Sequence, residues 1–94
     1  MIGLTTSIGI SITKLSKHQQ ERADARKLNV EGIKDALLHP LHIGDVVPRE
    51  NGNSQRFIGA TTTVNINPDT GVVVTSWVTG TKTRAKYNKR KRND

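Results

Sequence analysis

Three side chains able to handle phosphate, His18, Arg22 and Arg26, recur every four residues along one segment of the chain. In a helix that spacing sets them on one slowly drifting stripe. Farther along stand Arg56, Thr75, Ser76, Thr79 and Lys82. Together these types suit one reaction, metal-free cleavage of RNA. A group must take the proton of the attacking 2′-hydroxyl, cations must hold the phosphate as charge builds, and a donor must protonate the leaving 5′-oxygen. Histidine serves either proton role near neutral pH. Arginine grips phosphate with two parallel hydrogen bonds and keeps its proton. Most of the rate in phosphoryl chemistry comes from positioning and electrostatics, which a small domain can supply.

Other chemistries find little support. The chain has no cysteine, which removes thiolate metal sites, disulfides and a cysteine nucleophile together. His39 and His42 straddle Pro40 with no acidic cluster beside them and read as exposed loop histidines, so no metal or other cofactor is expected. No glycine-rich phosphate loop occurs, and the eight carboxylates are scattered.

Charge points the same way. The 94 residues carry a formal net charge of +7. Residues 82–94 hold seven of the fifteen basic residues (Lys82, Arg84, Lys86, Lys89, Arg90, Lys91 and Arg92) against Asp94 alone, leaving eight basic and seven acidic in residues 1–81. Basicity is thus a property of the C-terminal segment, and a segment so dense in cations favours a polyanionic partner. The first residues lack a basic n-region and a long apolar run, so neither a signal peptide nor a membrane span is expected.

The elements that must position these residues follow from pattern. Ile8, Ile10 and Ile12 alternate with small residues and suggest a short strand over 8–14. Ser16 with Gln19 forms a capping-box signature for a helix over 17–27. Asn29 opens a second helix over 30–38, whose apolar face is Val30, Ile33, Ala36 and Leu37 and whose stop is Pro40. Strands are expected over 41–47, 54–59, 61–67 and 72–79, joined by turns at Asn51-Gly52 and Pro68-Asp69-Thr70-Gly71. The expected fold is α+β: two N-terminal helices on one face of a four-stranded antiparallel sheet, one domain over 1–81, then a flexible basic tail over 82–94. Alternation puts Val64 and Ile66 on one face, and sets Val72, Val74 and Val78 against Thr75, Trp77 and Thr79. Arg56 points away from the side of Phe57. One face is then aliphatic, and the other is polar with one aromatic.

Two stretches add a resemblance. The first is Ser16-Lys17-His18, Glu21-Arg22, then Asn29-Val30-Glu31-Gly32-Ile33-Lys34-Asp35-Ala36-Leu37 and Pro40-Leu41. The second is Ser54-Gln55-Arg56-Phe57-Ile58-Gly59, then Val64-Asn65-Ile66-Asn67-Pro68-Asp69-Thr70-Gly71, a Val-Val-Thr strand and Thr79-Gly80-Thr81-Lys82. In this order, over residues 14–83, the chain resembles the small nuclease domains of the barnase–EndoU–colicin–RelE-like group, found in phage proteins and bacterial polymorphic toxins. The resemblance implies a metal-independent, toxin-type endoribonuclease in the cytoplasm of a bacterial host, phage-encoded or delivered as a toxin. Its partners would be RNA and a cognate immunity or antitoxin protein. It implies catalytic positions at His18, Arg22, Arg56 and Thr79. Arg26, Thr75, Trp77, Lys82, Arg84, Lys86, Lys89 and Arg90 would contact the RNA. Such domains also serve as inactive binding modules, so a non-catalytic module for nucleic acid or a host protein is the alternative expectation.

Overall fold

The computed structural model describes residues 2–17, 19, 30–50 and 52–92, the last four of these by backbone alone. Its described elements are β1 (Lys14–Leu15), α1 (Val30–Leu38), β2 (His42–Ile43), β3 (Val47–Arg49), β4 (Gly52–Ile58), β5 (Thr62–Ile66), β6 (Val72–Val78) and α2 (Thr81–Arg92). The class is α+β, as expected. The sheet is mixed and six-stranded rather than a four-stranded antiparallel meander. Its order is β1-β6-β5-β4-β2, with β3 pairing the far end of β4. Of the two expected N-terminal helices, α1 stands where it was predicted. The first, over 17–27, lies outside the described residues except for Lys17 and Gln19, which are both helical.

The parallel pair is the first departure. Lys14 and Leu15 align with Val72 and Val73. The isoleucine alternation before them does not form a strand. Residues 3–12 fold back on themselves instead, with Ile12 N–H donating to the Leu4 carbonyl and Thr6 N–H to the Ile10 carbonyl, both at 2.8 Å. Ile12 is buried at the base, whereas Ile8 is exposed at the tip. Gly71 (φ 78°) makes room for this segment, because a Cβ there would run into the Ser11 carbonyl. Ser16 then joins sheet to helix. Its N–H donates to the Val73 carbonyl (2.9 Å) and its hydroxyl to the Val74 carbonyl (2.6 Å), while the same oxygen accepts the Gln19 N–H (3.0 Å). One half of the capping box is present, and the sheet takes the other.

Helix α1 buries Ile33, Ala36 and Leu37, the i, i+3, i+4 set that faces a core. They pack with Ile12, Phe57, Val64, Ile66 and Val73. Val30 is half-exposed instead of joining that face.

A bulge corrects the face assignment in β6. Asn65 pairs with Thr75 but Ile66 pairs with Val73, so Val74 is an extra residue and parity flips there. Val73 and Ser76 are the buried members of β6, whereas Val74 and Val78 are 39 % and 66 % exposed. The expected inward set Val72, Val74 and Val78 is therefore wrong. A second slip divides the expected strand 41–47 at Gly44: Ile43 pairs with Phe57, yet Val47 pairs with Ser54, one residue out of step.

The expected flexible tail is helix α2. Lysine, arginine and alanine are good helix formers, and cations at its C-terminal end suit the helix dipole. Among its described side chains Thr83 and Tyr87, four residues apart, are half-buried, while Lys82, Arg84 and Lys86 are exposed. Among the described residues no helix is long and apolar enough to cross a membrane.

Candidate nucleic-acid interface

The face of the sheet away from α1 is built in cross-strand rows, since directly paired residues point to the same side. His42 pairs with Ile58, Ile58 with Thr63, and Thr63 with Trp77, making one row across β2, β4, β5 and β6. The next row runs Arg56, Asn65, Thr75. At ~4.8 Å per strand, His42 and Trp77 stand ~14 Å apart at the ends of the first row. Helix α2 starts just after Trp77, and its Tyr87 ring stacks on His42, with centroids 4.4 Å apart and planes 15° from parallel. The helix thus crosses this face from β6 to β2.

Between α2 and the β3–β4 arm lies a cleft of about 350 Å³, lined by His42, Asp45, Arg49, Arg56, Asn65 and Tyr87 among others. The Arg56 guanidinium sits 5.1 Å from the Trp77 ring centre, within cation–π range. Lys86 Nζ lies 5.2 Å from the Tyr87 ring centre. The lining of the cleft itself holds two arginines, Arg49 and Arg56, one carboxylate, Asp45, and the rings of His42 and Tyr87. The Asn65 side-chain oxygen is buried at its edge with no hydrogen-bond partner.

The residues singled out from sequence divide into four groups. Arg56 lines the cleft, with Trp77 half-buried beneath it and Thr75 half-buried in the same row as Arg56. Lys82, Arg84 and Lys86 are exposed on α2, which also holds the backbones of Lys89 and Arg90. Thr79 is buried. Its hydroxyl donates to the Gly59 carbonyl (2.8 Å), so the 2.8 Å contact to Thr63 Oγ1 is a bond that Thr63 donates. This binds Thr79 into the end of the sheet rather than presenting it to the cleft. His18, Arg22 and Arg26 lie outside the described residues.

Sequence reasoning missed His42, Asn65 and Tyr87. Read as a loop histidine, His42 is a half-buried strand residue in the cleft, whereas His39 is exposed. The alternation His42, Ile43 carried a signal, but only the pairing of β2 with β4 puts His42 on the side of Arg56. Comparison with protein-family models, with curated proteins and with solved structures finds no match for this chain.

Proposed function

We propose that the chain is an RNA-binding protein of ribonuclease type that cleaves without a metal, by attack of the 2′-hydroxyl on the adjacent phosphate. The observation that carries this reading is the Arg56 guanidinium held against Trp77 at a cleft that also contains His42, with a basic helix along its border. Arg56 would hold the phosphate and stabilise the charge that builds on it. A histidine would move the proton, His18 by the resemblance to the barnase–EndoU–colicin–RelE-like group, with Arg22 one turn away as a second cation. The cations of α2 would hold the flanking backbone. RNA, and a cognate immunity or antitoxin protein in a bacterial cytoplasm, are the partners that go with this reading.

One observation favours a second reading, a non-catalytic binding module. Thr79, a position the resemblance marks as catalytic, spends its hydroxyl proton on Gly59. Incubation of the purified chain with total RNA in EDTA separates the two. Fragments ending in a 2′,3′-cyclic phosphate and a 5′-hydroxyl support the enzyme. Intact RNA that nonetheless binds supports the module, and fragments with 5′-phosphates made only with Mg²⁺ overturn the mechanism.

A further inference from the structure

We propose that α2 is a clamp, poised between open and closed in the free protein, which a run of phosphates closes by bridging its cations to Arg49 and Arg56 across the cleft. What α2 covers is a narrow strip. Because it crosses from β6 to β2, the middle members of the first row, Thr63 and Ile58, lie beneath it. Both are buried, although they stand on the face away from α1 and Ile58 is no part of the core cluster. On the helix side the contact is made by Thr83 and by the Tyr87 ring, which stacks on His42 and carries the Lys86 ammonium over it. So small an apolar contact holds an element weakly.

Charge works against it. Every charged residue of α2 is a lysine or an arginine. Lys82, Lys86 and Arg90 follow one another at the i, i+4 spacing where like charges destabilise a helix. Across the cleft stand Arg49 and Arg56, with Asp45 as the one carboxylate in its lining. Among the described side chains no ion pair joins α2 to the sheet. A helix of 12 residues is marginal by itself in water, so α2 unwinds when it leaves the sheet. Its pivot is short. Thr79 is tied into the sheet by its N–H to the Thr61 carbonyl (3.0 Å) and its hydroxyl to the Gly59 carbonyl, which leaves the exposed Gly80 as the joint. Phosphates in the cleft reverse the balance. Their oxygens accept from Arg49, Arg56 and the helix cations together, and that set of donors exists only while α2 is docked. A ligand with this difference in affinity shifts the population towards the closed state. RNA and free oligophosphate share the chemistry, and neither a base nor a 2′-hydroxyl enters it.

Amide hydrogen exchange of the full chain reads the clamp. It is followed alone, with inorganic tripolyphosphate, with a short 2′-O-methyl RNA strand that cannot be cleaved, and with NaCl at matched ionic strength. In the free chain the α2 amides should exchange much faster than those of β4, β5 and β6. Tripolyphosphate or the strand should slow them roughly fivefold or more, and NaCl, which only screens, by clearly less. Replacing both exposed arginines, Arg49→Gln with Arg56→Gln, should remove most of that slowing. It should also leave α2 better protected in the free chain than in the wild type, since the repulsion goes with the charges. Exchange in α2 as slow as in the sheet of the free chain would overturn the proposal. So would no response to either polyanion, a response that NaCl matches, or a full response in the arginine variant, which is that of phosphates coating the helix alone. Slowing by tripolyphosphate shows that free oligophosphate suffices, and slowing by the strand alone assigns the clamp to nucleic acid. Cleavage of natural RNA is scored separately. A chain whose α2 responds but which cuts nothing loses the ribonuclease reading and keeps the clamp, and one that cuts RNA without the response does the reverse.

Discussion

The Arg56 guanidinium carbon lies 5.1 Å from the Trp77 ring centre, and the two residues reach that contact from strands that are not neighbours. Strand β5 lies between them, so the ring fixes the long arginine over the middle of the polar face. Trp77→Leu should release it. The expected cost is about 0.5–1 kcal/mol of RNA affinity, a roughly two- to fivefold rise in Kd, with Trp77→Phe falling in between. Arg56→Ala should cost more, in cleavage rate as well as affinity, because it deletes the charge itself. Binding isotherms and single-turnover rates on one RNA would distinguish the two variants.

The histidines should part in their effects. His18→Ala should reduce the cleavage rate by roughly 10²–10⁴ while binding persists, as for loss of a proton-transfer group. Because His42 stacks on Tyr87, His42→Ala should act mainly on affinity. His39 is exposed and its replacement by alanine should be neutral. If His42→Ala abolished cleavage with binding intact, the proton-transfer role would belong to His42.

Removing cations from α2 without removing the helix tests its electrostatic part. Lys82, Arg84 and Lys86 are exposed, and glutamine is nearly as good a helix former as lysine or arginine. The triple glutamine variant should fold normally and bind RNA more weakly. Its plot of log affinity against log salt should flatten by ~0.7 for each single-strand phosphate that the variant no longer neutralises. An unchanged slope would assign these side chains to solubility.

Two substitutions test the packing in opposite directions. The Ser76 hydroxyl is fully buried without a hydrogen-bond partner. Ser76→Ala removes that unsatisfied group and should stabilise the fold by about 1 kcal/mol, a rise of roughly 4–8 °C in Tm for a chain of this size. Gly71→Ala should do the reverse. It forces a side chain into a left-handed backbone (φ 78°) against the Ser11 carbonyl and should unseat residues 11–13 from the turn. Thermal unfolding followed by circular dichroism would read both.

Local pattern was enough for α1, where Ile33, Ala36 and Leu37 mark one face and Pro40 the end. It was also enough for the turn at 68–71 and, within a residue or two, for β4, β5 and β6. It placed Phe57, Val64 and Ile66 inside and Arg56 on the other face. These features depend on periods of 3.6 and 2 within a few residues, and sequence carries those periods. The rest is decided by partners distant in the chain. Lys14 and Leu15 become a parallel strand only because β6, nearly sixty residues on, has a free edge for them. The inward residues of β6 depend on the extra Val74, which a period-2 reading cannot see because a bulge is defined against the opposite strand. Segment 81–92 has almost no apolar pattern, so its composition reads as a tail. What anchors it is Tyr87 on His42, a contact between two residues that sequence alone gave no reason to bring together. Residue types and their order thus suffice to say which side chains prefer the core and that a basic segment ends the chain. That this segment crosses the polar face and makes a cleft is settled by the folded chain, because the stack that fixes it joins residues forty-five positions apart.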